Sequence, residues 1–392
     1  MSVSRGRVAG VAPLVHGMER DLVEADWPVL TEDEVRSVLS RSEGSRRRDG
    51  DEVRITWSSP RPMSAAALVS CSRGELFVKR HHRKVREPAR LRLEHAFAQH
   101  LRDQGEPVAR VLVGAGGETV WQEGDFVYEI HEKAHGVDLY RDTPSWHPFV
   151  SRDHARAAGR ALAHFHQAAR GFTASATAPG VLTNSMVVLG ADDPPRALRH
   201  LIDSRPALAR ALTSRDLGSD FARDFESGVG SVAPLLGRLE SQWGHGDWHP
   251  SNLTWTSEAA SADVASVLDL GLANRTTTVH DLAIALERSV VDWLDLALTG
   301  EIRADLPAVD SLLDGYESVR ELTVTERVAF LAVLPVVHLE FALSEVEYFA
   351  DVVHSEANLH LAYDGYLLGH ARWFHSIRGV ELMRHLQRRW SL

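Results

Sequence analysis

The chain has one cysteine, Cys71, among its 392 residues. A lone thiol closes no intrachain disulfide and builds no thiolate zinc site, so disulfide-stapled secreted folds and cysteine-based zinc modules are excluded. Basic charge is also short. Lys and Arg number 43 against 54 Asp and Glu, a net charge of −11, opposite to the usual sign of a nucleic-acid binder. Long apolar runs are missing too. The best candidate, VAFLAVLPVV at 328–337, is shorter than the roughly 18 residues a membrane span requires and contains Pro335. No nucleic-acid or membrane partner is expected, and a cytoplasmic location follows by default. Residues 1–30 carry Arg5 and Arg7 before a weakly apolar run with glycines, a proline and no clear cleavage site. They read as a flexible tail rather than a signal sequence.

What is present is an ordinary globular composition, 44% hydrophobic and 25% charged, in a chain too long for one core. Residues 31–41, TEDEVRSVLSR, place Glu34 three positions after Thr31, the spacing of a capping box, and predict a short helix. GSRRRDGD at 44–51 reads as a solvated linker. Strands are predicted at 52–59, 65–71, 76–81, 108–114 and 125–132, with a helix over 88–105 inserted after the third. From 151 onward the pattern is helical. It is interrupted by a strand pair at 253–255 and 265–271, and by Pro335, which should kink a helix over 325–349. The whole predicts an α+β chain with a flexible tail at 1–30, a sheet lobe at 31–132 and a mainly helical lobe at 133–392.

The densest polar cluster is HGDWHPSN, residues 245–252. His245 and His249 stand four apart, as zinc ligands on a helix would, but Gly246 and Pro250 argue against a continuous helix and no third ligand is near. The other chemistry is phosphoryl transfer, which needs little covalent work from a protein. It needs phosphates positioned, magnesium held by oxygen ligands and a hydroxyl aimed. Asp247 can aim a hydroxyl. Asn252 and Asp269, seventeen residues on in VLDLG, offer oxygens. Lys79 in FVKR and Glu94, fifteen residues later in the following helix, supply a phosphate-gripping lysine and a glutamate to hold it. The histidine pairs at 81–82, 164–166 and 354–360 read as packed or solvated side chains, with no carboxylate cluster at ligand spacing beside them.

HGDWHPSN followed by LDLG and then HDLA at 280–283 resembles the aminoglycoside phosphotransferase and choline kinase family, which shares the two-lobed protein-kinase-like fold. The homoserine kinase and stress-response kinase branch is resembled about equally. The resemblance implies ATP and Mg2+ as cofactors. It implies Asp247 as catalytic base, Asn252 and Asp269 as metal ligands, and Lys79 and Glu94 as the phosphate-side pair. Asp281, with His245, is implied to brace the catalytic loop. YEIHEK at 128–133, with Glu129 and His131, is implied to be the hinge whose backbone meets adenine. One departure stands out: the turn SSPRPMSAAAL at 58–68 has no glycine, which leaves Ser64 as its candidate phosphate contact.

Glu287, Glu340 and Glu347 are candidate acids for a small, amine-bearing hydroxyl substrate, or else the wet side of amphipathic helices. Trp293, Tyr348 and Trp373 wall the pocket or fill the core. Two other functions remain open: a protein Ser/Thr kinase of the stress-response type, and a non-catalytic nucleotide-binding regulator. The regulator should lack one of the four key polar residues, and all four are present. The protein kinase needs an activation segment, and only residues 272–279 separate Gly271 from His280.

Overall fold

The computed structural model describes residues 14–17, 21–43, 52–296 and 302–392. The linker expected at 44–51 lies outside them. Thr31 caps the first helix as its spacing predicts: its hydroxyl accepts from the Glu34 amide at 3.2 Å, and α1 runs Glu32–Glu43. Ahead of it, the expected flexible tail gives way over its described part to a hairpin, β1 (Leu14–His16) with β2 (Leu22–Glu24). Val15 is buried there, and the His16 amide donates to the Pro60 carbonyl at 2.9 Å. Trp27 and Asp26 then both reach the Tyr348 hydroxyl, at 3.2 and 2.8 Å.

The sheet contains β3 (Arg54–Ser58), β4 (Ala65–Cys71), β5 (Gly74–His82), β6 (Trp121–Glu123) and β7 (Phe126–Glu132). Its order is β3-β4-β5-β7-β6, and every pair is antiparallel. Five strands were expected, but one differs. Residues 108–114 make only isolated bridges, Val108 to Val267 and Val111 to His131, and Trp121–Glu123 supplies the fifth strand. VARVLVG alternates only partly and passes between the two halves: its Leu112 amide donates to the Ile130 carbonyl at 2.7 Å, while the Pro107 carbonyl just before it accepts from the Val267 amide at 3.0 Å. The side chains of Val69, Val78 and Ile130 pack with Val35 and Val38 of α1 into a core of the sheet's own.

Helix α2 (Pro88–Asp103) follows β5, opened by Pro88 and closed before Gly105, which adopts φ +91°. Its Phe97 and Leu101 join the larger core instead, tying sheet and helices together. Helix α3 (Arg152–Ala168) starts at a Ser151 cap. The short helices α4 (Pro194–Asp203), α5 (Pro206–Ala211), α6 (Leu217–Asp224) and α7 (Glu226–Leu236) follow. Helix had been expected to continue through 242, but Ser241–Gly244 is a strand, β8, paired with β11 (Asn274–Thr277). Between them β9 (Leu253–Trp255) pairs with β10 (Val264–Val267), close to the sequence reading. Helix α8 (Thr278–Val290) is buried along its whole length. Helix α9 (Leu306–Glu317) lies against α3 with backbones in contact: a Cβ on Gly159 would sit 1.9 Å from the Leu312 carbonyl oxygen.

Pro335 ends α10 (Val324–Val333), and a turn of tighter helix leads into α11 (Leu339–Glu347). The run Val324–Val353 is long and apolar enough to cross a membrane, which the sequence reading had denied, but 78% of its most apolar window is buried inside the protein.

Candidate active site

Gly246 turns with φ +75°, and a side chain there would meet the Leu272 carbonyl oxygen at 2.2 Å, so only glycine fits the loop in this place. Asp281, at the start of α8, fixes the same loop. Its carboxylate accepts from the amides of His245 and Gly246, both at 2.7 Å, and from His166 Nε2 at 2.9 Å. Burial alone would raise the Asp281 carboxyl, but these contacts with His166 and the neighbouring His245 hold it down at about 2. His245 is itself committed to the scaffold, with Nε2 on the Leu268 carbonyl at 2.9 Å, which removes it from any zinc pair with His249.

Asp247 faces the cleft. Asn252 Nδ2 donates to its Oδ2 at 3.1 Å and to its backbone carbonyl at 2.8 Å. The buried Arg288 donates to its Oδ1. Burial would raise the Asp247 carboxyl, but Arg288, His249 and His245 hold it well below the usual carboxylate range. Arg288 was not a sequence candidate. The signal was its place on α8, seven residues after Asp281, hence on the same face of the helix. It also lies over the rings of Trp146 and Phe341, at 4.9 and 4.7 Å.

Asp269 sits at the end of β10 in a left-handed conformation, φ 52°, with Oδ1 accepting from the Gly271 amide at 3.1 Å. Its Oδ2 receives Lys79 Nζ from β5 at 2.7 Å. Burial would depress the Lys79 ammonium, but Asp269 and then Glu129 more than offset it and its pKa is raised. Glu94 does not hold Lys79, contrary to expectation. It accepts from Arg90 Nε at 3.1 Å and lies 3.6 Å from Arg86, while Arg90 reaches the Gly271 carbonyl at 3.1 Å. Two arginines close in sequence outcompete one lysine on the strand, and Arg90 steadies the segment after Asp269.

The expected hinge, 128–133, also differs. Tyr128 to Glu132 are strand residues paired with β5 and β6, so only Glu132 to Ala134 lie at the strand's end, where they line a cavity. Glu129 and His131 lie within the sheet, and their side chains meet: His81, His95 and His131 all contact the Glu129 carboxylate, at 2.8, 3.0 and 2.7 Å. A carboxylate does therefore accompany His81, contrary to the sequence reading.

Two cavities meet here. The larger, about 450 Å³, lies under the sheet between Ala66, Leu68, Lys133 and Val267. The smaller, about 200 Å³, contains Asp247, Trp146, Phe341 and Glu345. Ser64, Arg61, Lys79, Asn252 and Asp269 border both. Arg61, from the glycine-free turn, donates to the carbonyls of Thr143 and, at 3.3 Å, Tyr140, pinning that turn to the helical half.

The expected substrate acids lie elsewhere. Glu340 accepts from the Val188 and Leu189 amides at 2.8 and 3.0 Å and from Ser185. Glu347 pairs with Arg205, and Glu287 contacts His370 at 2.6 Å. All three are buried structural groups rather than a wet helix side. The glutamate in the smaller cavity is Glu345, whose carboxyl is raised by burial to about 8. Trp293, Tyr348 and Trp373 are core.

A sheet roofing a nucleotide-sized cavity, joined through a lysine–aspartate pair to a smaller cavity holding a second aspartate, is the architecture of a two-lobed, kinase-like phosphotransferase. The chain belongs to the phosphotransferase enzyme family, whose model matches residues 65–322. It is a phosphotransferase. Its fold is similar to that of an aminoglycoside phosphotransferase from Alicyclobacillus acidocaldarius: TM-score 0.52, 18% identity, covering 93% of this chain and 97% of that one. It is also similar to the amicoumacin kinase hAmiN, solved with AMP-PNP, Ca2+ and Ami: TM-score 0.56, 14% identity, covering 88% and 93%. A microcompartment-associated aminopropanol kinase gives TM-score 0.55 at 18% identity, covering 89% and 98%. No curated protein matches the sequence significantly.

Proposed function

We propose that the enzyme moves the γ-phosphate of ATP to a hydroxyl of a compact molecule held in the smaller cavity, with Asp247 as the base. The observation that carries this reading is the shared border of the two cavities, where Lys79, Asn252 and Asp269 stand beside Asp247. The larger cavity is within the size range of ligand pockets, whereas the smaller one is below it. That favours a short or single-ring acceptor over a multi-ring antibiotic.

In this reading Lys79 meets the phosphates. Asn252 and Asp269 hold magnesium, and the fit is chemical: carboxylate and amide oxygens suit a hard cation. The Lys79 ammonium already stands as a cation against Asp269. Bound magnesium would supply charge that offsets the phosphate oxygens. Asp247 is held too acidic to strip a free hydroxyl, so it aims the acceptor and takes its proton late, as a loose transition state allows. Ser64 and Arg61 close over the phosphates, and Glu132 to Ala134 meet the base. The sheet lobe at 31–132 and the helical lobe at 133–392 are proposed as the working divisions.

Asp247→Ala should retain ATP binding by thermal shift while ADP release, screened against hydroxyl-bearing amines and amino acids, disappears. Full turnover in that variant would remove the assignment.

A further inference from the structure

Behind the larger cavity three elements converge on one carboxylate. Glu129 and His131 come from β7, His95 from α2 and His81 from β5. We propose that His95, His131 and Glu129 form a transition-metal site, most suited to Zn2+, at the border of the larger cavity.

The geometry has the form of a three-ligand site. One ligand atom from each of His95, Glu129 and His131 lies within 4.8 Å of the others. Both imidazoles address the same oxygen: His131 Nε2 lies 2.7 Å and His95 Nε2 3.0 Å from Glu129 Oε2. A zinc ion bonds its nitrogen and oxygen ligands at about 2.0–2.2 Å, which sets tetrahedral ligands roughly 3.4 Å apart, so these atoms need to part by about 0.4–0.7 Å to admit it. Imidazole nitrogens with one carboxylate favour zinc-like ions over magnesium, which prefers an all-oxygen shell.

The surroundings are those of a prepared site. His95 Nδ1 contacts the Thr119 hydroxyl at 2.9 Å, which fixes the ring and leaves Nε2 for the ion. His81 Nε2 holds the other oxygen, Oε1, at 2.8 Å, so the carboxylate cannot swing away. The His95 and Glu129 side chains are 5% and 9% exposed, while His131, at 19%, forms the open edge. All three border the larger cavity, so a fourth ligand enters from that side. Three imidazoles thus gather on one buried carboxylate, two of them on the same oxygen.

The test uses the full chain without an affinity tag, stripped with chelator and titrated with Co2+. The expected result is the visible absorption of four-coordinate cobalt, saturating at one equivalent and bleached by Zn2+. His131→Ala should lose the bands while its far-ultraviolet spectrum stays folded. Thr119→Val, which keeps all three ligands, should weaken Co2+ binding by roughly 10-fold or more. Folded wild-type protein without these bands would overturn the site. So would bands that persist unchanged in both His131→Ala and Thr119→Val.

Discussion

Arg288 grips Asp247 from within α8, so the aspartate aimed at the acceptor cavity is paired with a buried guanidinium that no solvent screens. The carboxylate is thereby kept charged far below neutral pH, and its contribution to stability is present above the ordinary carboxyl value and lost only as pH falls through the depressed one.

Replacing that cation exposes its role. Arg288→Met should move the acid limb of kcat/KM to higher pH, because the remaining burial raises Asp247. It should also cost about 3–5 kcal/mol of stability, as expected when one member of a buried pair is removed. Arg288→Lys should hold the limb closer to its original place. A pH–rate profile with identical limbs in all three proteins would count against the pairing.

Asp281 carries a separate load. Asp281→Ala orphans the amides of His245 and Gly246 and leaves His166 Nε2 without its acceptor. With each buried donor left unmade costing about 1–3 kcal/mol, urea unfolding should shift to a much lower midpoint. An unchanged midpoint would mean the loop finds other partners.

Glu345 gives a prediction of opposite sign. Its folded value, about 8, lies above that of an unfolded glutamate. The folded protein therefore binds the proton more tightly, and stability drains as pH rises from the ordinary carboxyl range toward 8. Glu345→Gln should remove that loss. Melting temperatures measured from pH 5 to 9 should show the variant gaining on wild type as pH increases. Parallel curves would sink the idea that Glu345 folds protonated.

Gly246→Ala should lower both kcat and stability, the latter by about 1–3 kcal/mol, since a side chain at this positive φ also strikes the Leu272 carbonyl. A circular-dichroism melt with steady-state kinetics checks it.

The sequence made legible what depends on short-range order. The Thr31 cap, the helix starting at Pro88, the break at Pro335 and the loop between His245 and Asn252 all follow from neighbouring residues. Sites assembled from distant segments were hidden. Glu94 was expected to pair by spacing with Lys79, yet Arg86 and Arg90 lie nearer in the fold. Glu345 sits between Glu340 and Glu347 on one helix, and periodicity cannot say which of the three faces a cavity. The histidines around Glu129 come from two strands and a helix, so no local pattern announces them. The strand at 121–123 was missed because it is three residues long.

Lys79 and Asp269 clasp each other across the cleft at 2.7 Å. In the proposed reading an arriving metal–nucleotide must part them before it can use either, so some of its affinity is spent on opening a latch the empty protein keeps shut. Raised ionic strength, which loosens the latch and also screens the phosphates, acts on nucleotide affinity through two opposed routes.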